Sequence, residues 1–574
     1  MADITYGGHA PIALDGARKV RGNLTEARIR WMILAIVLGF LLVGGRLVQL
    51  GLVETDTTIE GQTRDAIQAS RPPILDRNGI EMAVDIRVPS LYAEPRRIIN
   101  VDEAVDALRT VLPDLDPQWL RNRLSGDKGF VWVKRELTPD IQERVMRLGI
   151  PGIDFITESK RFYPGMTEAS HVLGAVNVDN QGIAGIEKYM DNENVALLQE
   201  LGLARGNALA PVQLSIDMRV QHVIHEQLTD ALSRYQAIAA AGVVMDVHTG
   251  EILAMVSLPD FNPNEPATAL VKDSFNRITS GIFELGSTFK TVTLAGALDS
   301  GSVRLTDQFD ARFGIRFGRY TIDDFHGKHR ILSVPEVYKY SSNVGTIRIM
   351  QAWGKDNFRA FLTKVGLDQR IPLELPEMRD PVVPKEFSEI VAATASFGHG
   401  LSVSPLHMAA AVSAFVNGGN YITPTLYHRD ASEAQALYKP VISPQTSAQV
   451  RYLMRLNALE GSGTRMNKLA EGYRVGGKTG TAEKVVDGRY SSTKVLNLFA
   501  SVFPMDDPQY AMVMLVDEPK AENPQSGTTA GWNAGEVTGR IVSRIAPMLG
   551  IAPDFSEAVD ANLVPPALRL TNIQ

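Results

Sequence analysis

The longest apolar stretch lies near the start of the chain, where WMILAIVLGFLLVGG runs uncharged from Trp31 to Gly45 and LVQLGLV continues after Arg46 to Val53. A helix over residues 31–53 would be about 35 Å long at ~1.5 Å per residue, enough to cross a bilayer. Arg18, Lys19, Arg21, Arg28 and Arg30 outnumber Asp3, Asp15 and Glu26 ahead of it, which sets residues 1–30 on the cytoplasmic side. No small-x-small cleavage site follows the apolar run, so the expectation is an uncleaved anchor with the remainder exported. Arg46 either snorkels to the outer interface or faces a partner helix.

Beyond the anchor the apolar periods shorten. Residues 54–211 read as a mixed domain in which RPPILDRNG (71–79) and RFYP (161–164) are turn-bearing loops between short strands. A second domain is expected over 212–550. It opens with Asp217 as a helix N-cap and Val220, Val223, Ile224, Leu228 and Leu232 at helical spacing. AGVVMDVHTGEILAMVSLP then reads as two strands reversing at His248-Thr249-Gly250, while NLFASVFP and QYAMVMLVDEP read as two more, followed by a helix through 532–548. Strands at both ends of a helical middle predict an α+β domain whose sheet takes its edges from both ends. Residues 551–574 read as a loose tail.

Composition narrows the picture only by exclusion. With 58 Lys and Arg against 65 Asp and Glu the net charge is −7, and no basic block offers a nucleic acid a surface. The absence of cysteine excludes disulfides, thiolate catalysis and cysteine-ligated metals.

Three motifs in the second domain carry chemistry. Ser287-Thr288-Phe289-Lys290 enters the apolar stretch TVTLAGAL, placing amine and hydroxyl one turn apart on one face. A lysine desolvated there can accept the serine proton at neutral pH. Ser341-Ser342-Asn343 and Lys478-Thr479-Gly480-Thr481 follow in order. Alone each is common; together they form the set of penicillin-binding proteins and class A β-lactamases. Ser341 can relay a proton to the leaving amine, Asn343 can hold the substrate amide, and Lys478 can meet a terminal carboxylate. Gly480 admits a ligand to the strand backbone, and Thr479, Thr481 and Ser342 are expected to bind substrate with it. The amides of Ser287 and Thr481 would form an oxyanion hole.

RPPILDRNG, RFYPG, HVLGAVNVDNQGIAGIEKYMD, QLSIDMRVQ, SLPDFNPN and FGHGLSVSPLHMAAA, taken with the three motifs, resemble the class B penicillin-binding proteins. NVDNQGIAGIEK is most similar to their division-type members, the septal peptidoglycan D,D-transpeptidases of Gram-negative bacteria; the other segments fit elongation-type relatives equally. The resemblance implies a transmembrane helix, an elongated non-catalytic pedestal and a serine β-lactamase-like transpeptidase domain with a central antiparallel sheet flanked by helices. It implies an inner-membrane protein with its catalytic domain in the periplasm at the division septum, acylated by D-Ala-D-Ala stem peptides or β-lactams and using a diamino acid as acceptor. It also implies a SEDS-family glycosyltransferase and divisome membrane proteins as partners, and a structural role for Arg71, Arg77, Gly182 and Glu187 in joining the two domains. The chain departs from the family at Leu285, where proline is usual, and at Pro72, where glycine is common.

Other readings fit less of the sequence. A class A β-lactamase needs a deacylating glutamate, and no Glu-x-x-Leu-Asn lies between Asn343 and Lys478. A carboxypeptidase would use the same serine, and the pedestal argues against it only by analogy. The intact motifs weigh against a silent divisome scaffold, the missing cytoplasmic domain against a β-lactam sensor. Asp323, Asp324, His326 and His329 in one loop, and His222 with His225 on a helix, match no ligand pattern and are expected to be surface groups. No metal and no cofactor are expected.

Overall fold

The computed structural model describes residues 71–192, 210–486 and 489–569, together with 31–34, 36–41 and 43. The described part of the expected anchor is helical, and its side chains, among them Trp31, Ile33, Leu38, Phe40 and Leu41, are exposed. Among the described residues no helix is long and apolar enough to cross a membrane. Residues 1–30 and 44–70, Arg46 among them, lie outside the described residues, as do the last five of the expected tail.

The pedestal is built on strands β1 (Ile74–Leu75), β2 (Glu81–Ala93), β3 (Val131–Lys134), β4 (Ile153–Phe162) and β5 (Val212–Gln213), ordered β3-β2-β1-β5 with β4 also paired to β2. The Asp76–Gly79 turn joins β1 to β2 because the Asp76 carboxylate accepts the amides of Asn78 (2.7 Å) and Ile80 (2.8 Å), and Gly79 takes φ +83°. β2 runs for 13 residues, far longer than the short strand expected. Leu91, Ala93, Val131 and Val133 form a core with Ala104, Val105, Leu108, Leu120, Leu124 and Val145 of the helices Val101–Val111, Pro117–Leu124 and Pro139–Met146.

A buried ionic knot lies between these strands and the helix Gly185–Asn192. Glu187 accepts Arg71 Nε at 2.8 Å and Arg161 Nε at 2.6 Å, while Arg71 also pairs with Asp191 (2.8 Å) and Arg161 with Asp85 (3.0 Å). Gly182 closes the knot, donating to Asp191 at 2.6 Å; a Cβ there would stand 2.4 Å from the Glu187 backbone. Arg77 reaches into the second domain, its guanidinium 3.4 Å from the buried Glu251. β5 pairs with β1 in parallel, so residues 212–213 extend the pedestal sheet.

The second domain has a five-stranded antiparallel sheet from β6 (Ala239–Asp246), β7 (Ile252–Leu258), β8 (Gly476–Val486), β9 (Arg489–Phe503) and β10 (Tyr510–Asp517), ordered β8-β9-β10-β6-β7. One edge comes from the start of the domain and the other from near its end, as the strand pattern predicts. β6, β7 and β10 are nearly continuous apolar runs because both of their faces are covered. Ala240, Val244, Met512 and Met514 pack with the helices Met218–Arg234 and Ala534–Met548, whereas Ala241, Val243, Val513 and Leu515 share a core with Lys290–Asp299 and Pro405–Val416. The latter core also takes in Leu285, Phe289, Val337 and Val344, which flank the Ser287 and Ser341 motifs.

The C-terminal segment differs from the loose tail its composition suggests. Asp560 pairs with both Nε and Nη2 of the buried Arg455 at 2.7 Å, and Asp554 pairs with Arg474 at 2.9 Å. Arg455 in turn donates to the carbonyl of Val475, directly ahead of β8 (2.9 Å). An isolated acidic residue in a polar segment carries no local signal of such a partner more than a hundred residues away.

Candidate active site

Ser287 sits on a 3-10 turn, Gly286–Phe289, and Lys290 is the first residue of the α-helix that follows. Side chains three residues apart eclipse in a 3-10 turn, which sets the amine over the hydroxyl, Nζ 3.0 Å from Oγ. Backbone packing fixes the turn. Gly286 has φ +53°, its amide donates to the carbonyl of Gly398 (3.2 Å), and a Cβ there would lie 2.9 Å from the carbonyl of Thr481. Gly480 completes the seam, since its own Cβ would stand 2.4 Å from the carbonyl of Leu285. The amides proposed as oxyanion donors, those of Ser287 and Thr481, therefore lie on abutting segments. Leu285, fully buried, packs into the main core at φ −94° where the family pattern has proline.

Lys290 Nζ lies within hydrogen-bond distance of four oxygens: the carbonyl of Ser341 at 2.5 Å, Asn343 Oδ1 at 2.7 Å, Ser341 Oγ at 3.0 Å and Ser287 Oγ. The first two can only accept, so they claim two N–H bonds and leave the remaining direction to the hydroxyls. A neutral amine fits this set, with its lone pair free to receive the Ser287 proton. Burial holds the Lys290 pKa well below its usual value, the nearby charge of Lys478 lowers it further, and Asp324 opposes the shift.

Ser341 joins the two lysines. Its Oγ donates to Ser287 Oγ at 3.0 Å and accepts from Lys478 Nζ at 3.0 Å. Its backbone is left-handed (φ +56°), an uncommon conformation for a serine and one that marks a constrained position. Lys478 is fully buried on β8, and burial brings its pKa down to about 7. Thr479 Oγ1 meets Ser462 Oγ at 2.6 Å, and Thr481 Oγ1 accepts the amide of Ala530 at 3.3 Å.

Ser342 turns away from the nucleophile and caps the helix Asn343–Trp353, accepting the Gly345 amide at 2.9 Å. Its hydroxyl donates to Asp324 at 2.6 Å, and the same carboxylate accepts the Val344 amide at 2.9 Å. Asp324 is therefore a half-buried support of the second motif, which corrects its assignment as a surface group; nothing in the loop TIDDFHGKHR distinguishes it from Asp323 beforehand. Asp323 contributes its carbonyl, 3.4 Å from Asn343 Nδ2. Elsewhere His222 and His225 pair with Glu168 and Asp260. Among the described residues no three His, Asp or Glu side chains are grouped to hold a metal ion.

The two lysines that share Ser341 set a pH dependence. Acylation should fall as acid protonates Lys290, because the charged amine has no lone pair. It should also weaken for carboxylate-bearing β-lactams as Lys478 loses its charge above about pH 7. Second-order acylation rates against pH check this: the alkaline limb should be present with a carboxylate-bearing lactam and shallower with an analogue lacking that group.

Comparison with known proteins agrees with this architecture. Residues 240–542 match the penicillin binding protein transpeptidase domain and residues 66–194 the penicillin-binding protein dimerisation domain. The chain is 34% identical over 551 residues to the probable peptidoglycan D,D-transpeptidase FtsI of Caulobacter vibrioides, covering 94% of this chain and 92% of the relative. It is 30% identical over 555 residues to the peptidoglycan D,D-transpeptidase FtsI of Escherichia coli, covering 92% of each. The solved structure of a peptidoglycan synthetase from Bifidobacterium adolescentis shares the fold, with a TM-score of 0.65 at 22% identity over 85% of this chain and 96% of that one. A sheet flanked by helices with a serine and two lysines at its edge defines the class as a penicillin-binding transpeptidase fold. The chain belongs to the penicillin-binding protein transpeptidase family, in the form that carries a dimerisation domain.

Proposed function

We propose that this chain is a peptidoglycan D,D-transpeptidase that cross-links stem peptides during septal wall synthesis and is inhibited by β-lactams. The carrying observation is Lys290 Nζ, 3.0 Å from Ser287 Oγ with two of its hydrogens directed to oxygens that can only accept. Lys290 takes the Ser287 proton as Oγ bonds to the carbonyl carbon of the penultimate D-alanine. The amides of Ser287 and Thr481 hold the oxyanion. Lys478 meets the terminal carboxylate, Asn343 the substrate amide, and Ser341 passes the proton to the departing amine. Ser342 acts through its cap on the helix, while Thr479, Gly480 and Thr481 present the strand to the peptide. The amine of a diamino acid on a second stem peptide then displaces Ser287.

The N-terminal apolar run and its preceding arginines support an inner-membrane anchor with the catalytic domain outside. Resemblance to division-type relatives supports a SEDS-family polymerase and divisome proteins as membrane partners. Incubation of the full chain with a D-Ala-D-Ala donor and an amine acceptor tests the activity. Mass spectrometry should find D-alanine released and a new donor–acceptor amide, and release with only water as acceptor would replace the proposal with a carboxypeptidase.

A further inference from the structure

The steps from Ser287 to the acyl-enzyme use none of the three cations gathered around Tyr340. The half-buried ring of this residue, directly ahead of Ser341, has Lys328 Nζ at 4.9 Å, Lys339 Nζ at 4.9 Å and the Arg330 guanidinium carbon at 5.8 Å from its centroid. A ring face attracts a cation, but three cations at one ring repel each other, and that repulsion favours an anion among them. Two are offset within the chain: Lys339 pairs with Glu460 at 2.8 Å and Arg330 with Glu336 at 2.5 Å. Lys328 is exposed and among the described residues makes no ion pair, so the cluster carries one charge that is not neutralised.

The cluster borders the site on the side away from Gly286. The Lys339 carbonyl abuts Gly461, where a Cβ would stand 2.9 Å from it, and the next residue, Ser462, meets Thr479 of β8 at 2.6 Å. One turn therefore joins the cluster to β8, and Ser341, next to Tyr340, links Ser287 to Lys478. Deacylation by an amine is acylation run backwards, which gives the path of the acceptor. Its nitrogen bonds to the acyl carbon where the leaving nitrogen stood, its proton passes through Ser341 and Lys290 to Ser287 Oγ, and the ester bond to Oγ breaks. The acceptor nitrogen thus enters beside Ser341. The acyl chain still occupies the β8 edge, which leaves the Tyr340 side for the rest of the acceptor to lie along.

We propose that Lys328, set with Arg330 and Lys339 around the Tyr340 ring, is a specificity-determining residue that receives a carboxylate of the acceptor peptide. The proposal rests on the transpeptidase reading. An acceptor with a free C-terminus supplies such a carboxylate, and the unpaired ammonium meets it as a point charge on a flexible stem.

The test uses the full-length chain in detergent micelles with one donor ending in D-Ala-D-Ala and two acceptor peptides of the same sequence, one ending in a carboxylate and the other in a carboxamide. Mass spectrometry reads the amide formed per D-alanine released, so each acceptor competes with water for the same acyl-enzyme. Wild type should favour the carboxylate acceptor about 5-fold, the scale of one exposed ion pair, and the preference should shrink in ~1 M salt. Lys328→Gln should bring the preference below about 2-fold and Lys328→Glu below one, with most of the change in the carboxylate acceptor's yield. A wild-type preference near one, an unchanged preference in both variants, or an equal loss with both acceptors would overturn the assignment. D-alanine release with no amide from either acceptor in wild type is a separate failure, which would remove the transpeptidase reading and this proposal with it.

Discussion

Lys290→Ala lowers the second-order rate of acylation by a penicillin by at least ~10²-fold, the loss expected when a positioned general base is removed. The size follows from the geometry. Ser287 Oγ has Lys290 and Ser341 as its hydrogen-bonding neighbours, and Ser341 is itself a hydroxyl that can relay a proton but not retain it at neutral pH. Lys478 is one hydrogen bond further off, touching Ser341 and not Ser287. Stopped-flow acylation of the purified variant measures the effect, with thermal unfolding run alongside to show that the buried site has not collapsed. A rate within a few-fold of wild type would move the base to Lys478, acting through Ser341.

Glu187→Ala should have the largest effect on stability of any single change in the pedestal. Glu187 is fully buried and accepts from Arg71, Arg161 and the hydroxyl of Tyr163. Removing it strands two buried guanidiniums, which among the described residues retain Asp85 and Asp191 as carboxylate partners. Breaking one side of a buried ionic network costs about 3–5 kcal/mol. Denaturant unfolding followed through the pedestal should report that loss, while the penicillin acylation rate of the molecules that remain folded stays near wild type. A cost below about 1 kcal/mol would mean that water relieves the knot.

The parts of the site legible in the sequence are those written locally. Ser-x-x-Lys, Ser-Ser-Asn and Lys-Thr-Gly each set their own turn, helix start or strand edge, and a sheet with edges from both ends of the domain followed from the apolar runs there. The side chains that hold these groups in place were not legible. Asp324 supports Ser342 across 18 residues, Tyr490 reaches Glu284 across 206, and Asp560 reaches Arg455 across 105. These pairings depend on how distant segments pack, and an exposed and a half-buried aspartate look alike in a polar loop. The left-handed backbone of Ser341 was equally hidden, since a serine gives no sign of it where a glycine would. The expected anchor shows the opposite case: its signal is strong in the sequence, whereas the described residues comprise only part of the run.

Peptide mapping of the full-length protein after reaction with a fluorescent penicillin tests most directly whether Ser287 is the acylated nucleophile. One denaturant-stable ester is expected, carried by the tryptic peptide that contains Ser287 and absent from Ser287→Ala. Undiminished labelling of Ser287→Ala, or an adduct mapped to Ser341 or any other residue in the wild type, would contradict it.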